Sequence, residues 1–151
     1  MKLYLDSCCY NRPYDDQSQE NIHLEGEAVL AIINRCRQNN DVIIGSSALD
    51  FEINNTADTE KREKVKYFYN KSITTKIDYT TEILKRAQDY KKNTGIRTLD
   101  IFHLSFAEYC NVDILLTTDI KFEKACSKLD LKIKVLNPLK YLLEVLNENN
   151  T

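Results

Sequence analysis

Lys2-Leu3-Tyr4-Leu5-Asp6 is a short apolar run that ends in an acid, and the pattern returns in Val112-Asp113-Ile114-Leu115-Leu116-Thr117-Thr118-Asp119. Short apolar runs bounded by polar residues read as buried strands. A third run, Val42-Ile43-Ile44-Gly45, leads into Ser47-Ala48-Leu49-Asp50-Phe51-Glu52. A fourth acid, Asp100, stands at the start of an almost wholly apolar helical stretch, residues 99–110. In open α/β sheets the carboxyl ends of parallel strands share one edge, and ligands bind there. Asp6, Glu52, Asp100 and Asp119 therefore gather at one edge. Carboxylates so gathered repel one another, which calls for a hard divalent cation and points to a phosphorylated substrate.

Outward from these runs the chain alternates strand and helix, the order of a parallel sheet with helices on both faces. Strands are predicted at residues 2–5, 42–45, 112–117 and 132–136, with an edge strand in the β-branched segment 73–77. Helices are predicted at 21–38, near 47–54, after a cap at Asp58, at 80–94, 99–110 and 120–129, and from Pro138 to about 147. Gly95 reads as the stop of the helix before it. Asn11-Arg12-Pro13-Tyr14-Asp15-Asp16 reads as a loop. The expectation is a single α/β domain over 1–151, with a frayed polar tail at 147–151.

With 151 residues, 42% hydrophobic and 29% charged, the chain has the size and balance of one globular domain. A net charge of -2 argues against coating nucleic acid by bulk attraction, though clustered basic residues still permit a nucleic-acid substrate. No apolar run approaches a membrane span, and Met1-Lys2 passes straight into a strand, so the expected location is the cytoplasm. The five cysteines include no C-x-x-C pair, which argues against a disulfide framework or a zinc knuckle. Cys8 and Cys9 read as small buried residues under the first strand's loop.

Each acid also has a plainer reading. Asp6 suits a turn, Asp119 a helix cap, Asp100 a first helical turn, and Glu52 a solvated surface. The joint pattern outweighs these, because a carboxylate on a buried helix costs several kcal/mol unless paired or metal-bound. Helical angles place Asp50 and Glu52 equally well, so spacing alone does not choose between them. His103, one turn after Asp100, reads as a core residue or a partner of Asp100, and His23 as a surface residue. A metal-free mechanism using both histidines ranks low. Arg12, Lys121 and Lys124 fall at the same edge and suit phosphate contacts, with Tyr10 or Tyr14 stacking on a base. Lys61-Arg62 reads as solvent-facing.

Leu5-Asp6-Ser7-Cys8-Cys9-Tyr10-Asn11-Arg12-Pro13, Ser46-Ser47-Ala48-Leu49-Asp50-Phe51-Glu52, Leu99-Asp100-Ile101-Phe102-His103-Leu104-Ser105-Phe106-Ala107 and Leu115-Leu116-Thr117-Thr118-Asp119 together resemble the PIN-domain family, in motif order over roughly residues 2–136. The resemblance implies helices around a parallel sheet and a metal-dependent endoribonuclease that cuts single-stranded RNA by metal-activated water, with Mg²⁺ or Mn²⁺. It also implies the toxin of a toxin–antitoxin pair, with an antitoxin protein as partner and a homodimer as assembly. Carried over by position, Asp6, Glu52, Asp100 and Asp119 match the family's acidic quartet. Asp6, Asp100 and Asp119 would hold the metal, and Glu52 would orient the attacking group. Thr117 matches the usual hydroxyl position, and Ser7 stands where many members have Thr. The family pattern also chooses Glu52 over Asp50. The competing readings are a non-catalytic PIN-like RNA-binding or regulatory module and, lower, a metal-dependent phosphatase, which wants an acid where Cys8 stands.

Overall fold

Leu3, Tyr4 and Leu5 are completely buried, as a strand with neighbours on both sides and helices on both faces requires. The computed structural model describes residues 1–149. Its elements are β1 (Lys2–Leu5), α1 (Ser7–Asn11), a 3-10 turn (Arg12–Tyr14), α2 (Glu20–Asn39), β2 (Val42–Ser46), α3 (Ser47–Asn54), α4 (Thr59–Ser72), β3 (Thr75–Ile77), α5 (Thr81–Asn93), α6 (Thr98–Tyr109), β4 (Ile114–Leu116), α7 (Ile120–Ser127), β5 (Lys134–Leu136) and α8 (Pro138–Asn149). The strands form one parallel sheet in the order β3-β2-β1-β4-β5. β1 is central, and Leu5 pairs with Leu116, so Asp6 and Thr117 leave the sheet side by side. The expected α/β architecture holds, with β3 at the edge as its β-branched, polar composition foretold.

Local chemistry sets most boundaries. Ser46, Asp58, Thr80 and Asp119 each cap a helix by accepting a backbone N–H. α2 ends at Asn40, whose φ of 56° is the left-handed turn that Asn tolerates. Gly95 does not play that part for α5. The helix closes at Thr94, in extended backbone, with the Thr94 hydroxyl donating to the Tyr90 carbonyl at 2.7 Å. α1 was not expected: the segment after Asp6 lacks apolar periodicity, and the helix owes its start to the Asp6 carboxylate, which accepts from the Cys9 N–H. β4 and β5 are shorter than predicted, three residues each. Asn147 to Asn149 of the expected frayed tail continue α8, and residues 150–151 lie outside the described residues.

The core runs between the sheet and its two helical layers. β2 passes close under α4: a Cβ on Gly45 would lie 2.7 Å from both the Tyr69 hydroxyl and Ile73 Cδ1. That approach lets the Tyr69 hydroxyl accept from the Ser46 N–H at 3.1 Å, so glycine is required by contact, not by φ. On the far side Tyr141, Leu142 and Val145 of α8 pack into the core, while Leu143 and Leu146 face outward. No helix among the described residues is long and apolar enough to cross a membrane.

Candidate active site

The carboxyl ends of β1, β2 and β4 deliver their acids together with α6. Asp6 is 3% exposed, and its backbone N–H donates to the Leu116 carbonyl at 3.1 Å, which ties it to β4. Two residues after Leu116 lies Thr118; Thr117 between them accepts the Asp119 N–H at 3.1 Å on its hydroxyl. Asp119 in turn caps α7 through the Phe122 N–H, 3.1 Å from its Oδ1. Asp100, 5% exposed, sits in the first turn of α6 and lines one cleft with Asp119, Arg97 and Lys121. The plain readings of Asp119 as a cap and Asp100 as a first-turn acid are thus true, and Asp6, read plainly as a turn residue, instead caps α1. They are compatible with the cluster, because a cap engages one carboxylate oxygen and leaves the other for a ligand.

Glu52 comes from α3 and is fixed from three directions. The Ser7 hydroxyl donates to its Oε1, His103 Nε2 lies 3.0 Å from the same oxygen, and Arg97 lies 3.6 Å from Oε2. The wholly buried His103 is itself held by the Tyr4 hydroxyl, 2.7 Å from Nδ1, and that hydroxyl is 2.7 Å from Ser46 Oγ. With the ring proton on Nε2, each hydroxyl donates along Ser46, Tyr4 and His103, and the imidazole N–H donates to Glu52. Asp50 points elsewhere, into an ion pair with Lys76 at 3.1 Å. The packing therefore brings Glu52, not Asp50, to the site.

The electrostatics divide the acids. Burial pushes the Asp6 carboxyl well above the usual range, and neighbouring Cys8 adds to the rise. Burial also raises Asp100; Arg97 pulls it back, while Asp119 pushes it up. Burial works on Glu52 in the same sense, but the hydrogen bond and charge of His103, then Ser7 and Arg97, outweigh it and hold that carboxyl low. Two buried carboxyls are thus held up by burial, and of the two Asp100 pairs with Arg97, at 3.1 Å. Oxygen donors on Asp6, Asp100 and Asp119 suit a hard divalent cation such as Mg²⁺ or Mn²⁺, so the residues fit such an ion.

Several expected neighbours lie elsewhere. His103 bonds Glu52 and not Asp100, because the ring points back toward Tyr4 on β1. Tyr10 is completely buried, edge-on to Phe68 and Tyr69, and is not free to stack on a base. Tyr14 is partly exposed and packs on Phe68. Arg12 pairs with Glu25 at 3.0 Å and Asp15 at 3.1 Å, a network that pins the 3-10 turn to α2. Lys61, expected in solvent, closes that network on Asp15 at 2.5 Å, and Arg62 donates to the Thr56 carbonyl. Lys121 does line the acidic cleft, and His23 is exposed as expected. Cys9 is buried, but Cys8 is only half-buried, and its Sγ lies 2.5 Å from Asp6 Oδ1. Arg97 was missed. Its signal was its place three residues before Asp100 at a helix start, a spacing that brings side chains together.

An open parallel α/β sheet with acids beyond its strand ends belongs to the class of folds whose ligands bind at the carboxyl edge of the sheet. More narrowly, the PIN domain family model matches residues 18–128, and the chain belongs to the PIN domain family. No curated protein matches it. Among solved structures it is similar in fold to FitAcB from Neisseria gonorrhoeae, with TM-score 0.58 and 13% identity, covering 91% of this chain and 98% of that one. It is similar to VapBC2 from Rickettsia felis, solved bound to a DNA fragment from their promoter, with TM-score 0.58 and 15% identity over 91% of this chain and 98% of that one. VapBC-1 from nontypeable Haemophilus influenzae gives TM-score 0.57 and 13% identity, covering 92% and 99%.

Proposed function

We propose that this protein is a metal-dependent endoribonuclease that cuts single-stranded RNA and is the toxin partner of an antitoxin protein. The observation that carries the reading is the PIN family match, supported by Asp6 tied to the end of β4, Asp100 and Asp119 lining one cleft, and Arg97 reaching both Asp100 and Glu52. A bound Mg²⁺ or Mn²⁺ supplies charge neutralisation at the scissile phosphate and lowers the pKa of its water. Asp6, Asp100 and Asp119 would hold that ion. Glu52, kept ionised by His103, Ser7 and Arg97, orients the attacking water from a fixed position. Thr117 and Ser7 fix two of these acids by hydrogen bonds: Thr117 takes the Asp119 N–H and Ser7 donates to Glu52. Arg97 and Lys121 stand at the cleft mouth, where a phosphate backbone would pass. The fold likeness to the FitAcB and VapBC structures supports an antitoxin partner, and the cytoplasm is the proposed setting of the pair.

The test is incubation of the purified chain with labelled single-stranded RNA. Cleavage is expected with Mg²⁺ or Mn²⁺ and lost on chelation, leaving fragments with a 5′-phosphate and a 3′-hydroxyl. A 5′-phosphate-dependent exonuclease should then degrade those fragments. Full activity in excess EDTA, or fragments carrying a cyclic phosphate, would overturn the mechanism.

A further inference from the structure

Cys8 and Cys9 set two soft donors beside Asp6, and the mechanism gives neither a task. The Cys8 sulfur is 2.5 Å from Asp6 Oδ1 and 3.6 Å from Thr117 Oγ1. The Thr118 backbone N–H donates to the same sulfur at 3.3 Å, and so favours negative charge there. Cys9 follows directly, and ligand atoms of Asp6, Cys8 and Cys9 all lie within 4.8 Å of one another. A tetrahedral zinc site with bonds of about 2.1–2.3 Å has ligand–ligand edges of about 3.7 Å, so side-chain adjustments of about 1 Å would close these groups on an ion. Cys9 Sγ donates to the Leu116 carbonyl in a weak 3.4 Å contact that ligation would replace, and it also interacts with the side chains of Cys8 and Asp6.

We propose that Asp6, Cys8 and Cys9 form a zinc site that shares Asp6 with the catalytic metal position and shuts the enzyme off when occupied. On binding, each thiol gives its proton to solvent, two sulfur–zinc bonds and one oxygen–zinc bond form, and water takes the fourth place. Zinc selects this pair of sulfurs because it prefers thiolate and binds more tightly than magnesium or manganese, whereas Mg²⁺ takes oxygen ligands and keeps its water. Asp6 cannot serve both ions in their separate geometries, so zinc and magnesium exclude each other. Zinc binding stands on the geometry alone; inhibition also rests on the nuclease reading.

Cobalt(II), which takes zinc's place and absorbs through its thiolate bonds, is the probe. Titrated into the metal-free full chain, it should raise a sulfur-to-cobalt charge-transfer band that zinc displaces and an excess of magnesium does not. Cys8→Ser should lose the band. Zinc should inhibit Mg²⁺-supported RNA cleavage by the parent, and the zinc concentration giving half inhibition should rise about tenfold or more in Cys8→Ser. Where Cys8→Ser folds poorly by circular dichroism, alkylation of the parent decides: zinc should slow iodoacetamide labelling at Cys8, mapped by peptide mass. Absence of a thiolate band, a band unchanged in Cys8→Ser, or Cys8 labelling indifferent to zinc overturns the site. A band without RNA cleavage under any metal sinks the nuclease reading and keeps the zinc site. Cleavage inhibited equally by zinc in parent and Cys8→Ser does the reverse.

Discussion

At the scale of single residues, the acids carry opposite signs of strain. Asp6 and Asp100 are raised by burial, so ionising them costs the folded state free energy that the unfolded chain does not pay. That cost is full above their raised folded values and lifts as pH falls through them toward the ordinary carboxylate range. Glu52 is held low, so its contribution is full above the usual Glu pKa of about 4.3 and vanishes as pH falls through its lower folded value. Thermal melts of the metal-free protein should therefore improve as pH falls through the raised Asp6 and Asp100 values, and worsen once pH falls through the lowered Glu52 value. Asp6→Asn should flatten the first part, and Glu52→Gln should remove Glu52's share of the second. A parent that only loses stability from neutrality downward, in parallel with Asp6→Asn, would contradict this account. The same reasoning applies to activity: Asp6→Asn and Asp119→Asn keep a capping oxygen for Cys9 and Phe122 while removing charge. Both variants should lose cleavage yet melt no lower than the parent in metal-free buffer. A drop of many degrees would make those carboxylates structural.

At the scale of elements, caps and close approaches decide where the site stands. Ser46 ends β2 and caps α3, Asp6 directly follows β1 and caps α1, and Asp119, three residues after β4, caps α7, so the helix starts are set by the same residues that line or flank the site. β2 holds Ser46 in place because Tyr69 of α4 reaches across Gly45. Gly45→Ala should force Ile73 and the Tyr69 hydroxyl away, at a cost of about 1–3 kcal/mol by overpacking. Chemical denaturation checks it, and unchanged stability would mean that α4 yields freely. His103→Ala should be similarly costly, about 2–4 kcal/mol, since it opens a buried cavity and strips Tyr4 and Glu52 of a partner. The strand and helix order was legible from apolar periodicity in most elements. α1 was not, because one carboxylate cap and no periodic face creates it. Gly95 misled for the converse reason: Thr94 supplied the hydrogen bond that glycine usually permits.

At the scale of the molecule, the two outer faces of the fold have different fates. α8 gives Tyr141, Leu142 and Val145 to the core and leaves Leu143 and Leu146 outside. We propose that this outward strip joins two copies; light scattering at tens of micromolar, roughly, should show a dimer that Leu143→Glu weakens. A strict monomer in the parent would remove that assembly and leave the catalytic proposal standing.

The sequence by itself determined the parallel α/β order, the central place of Leu3-Tyr4-Leu5 and Ile114-Leu115-Leu116, and the acids that follow them. Those conclusions need only local hydrophobic patterning and the rule that strand ends share an edge. Spacing left Glu52 and Asp50 equal and the resemblance to the PIN family chose Glu52; only the tertiary structure decided that Asp50 turns to Lys76, that His103 serves Glu52, that Tyr10 and Arg12 are spent inside the fold, and that Cys8 lies against Asp6. Each of these depends on which way a side chain turns once distant segments pack. Residues 4, 7, 52, 97 and 103 meet through contacts across up to 99 positions of chain, and no local period encodes such a meeting.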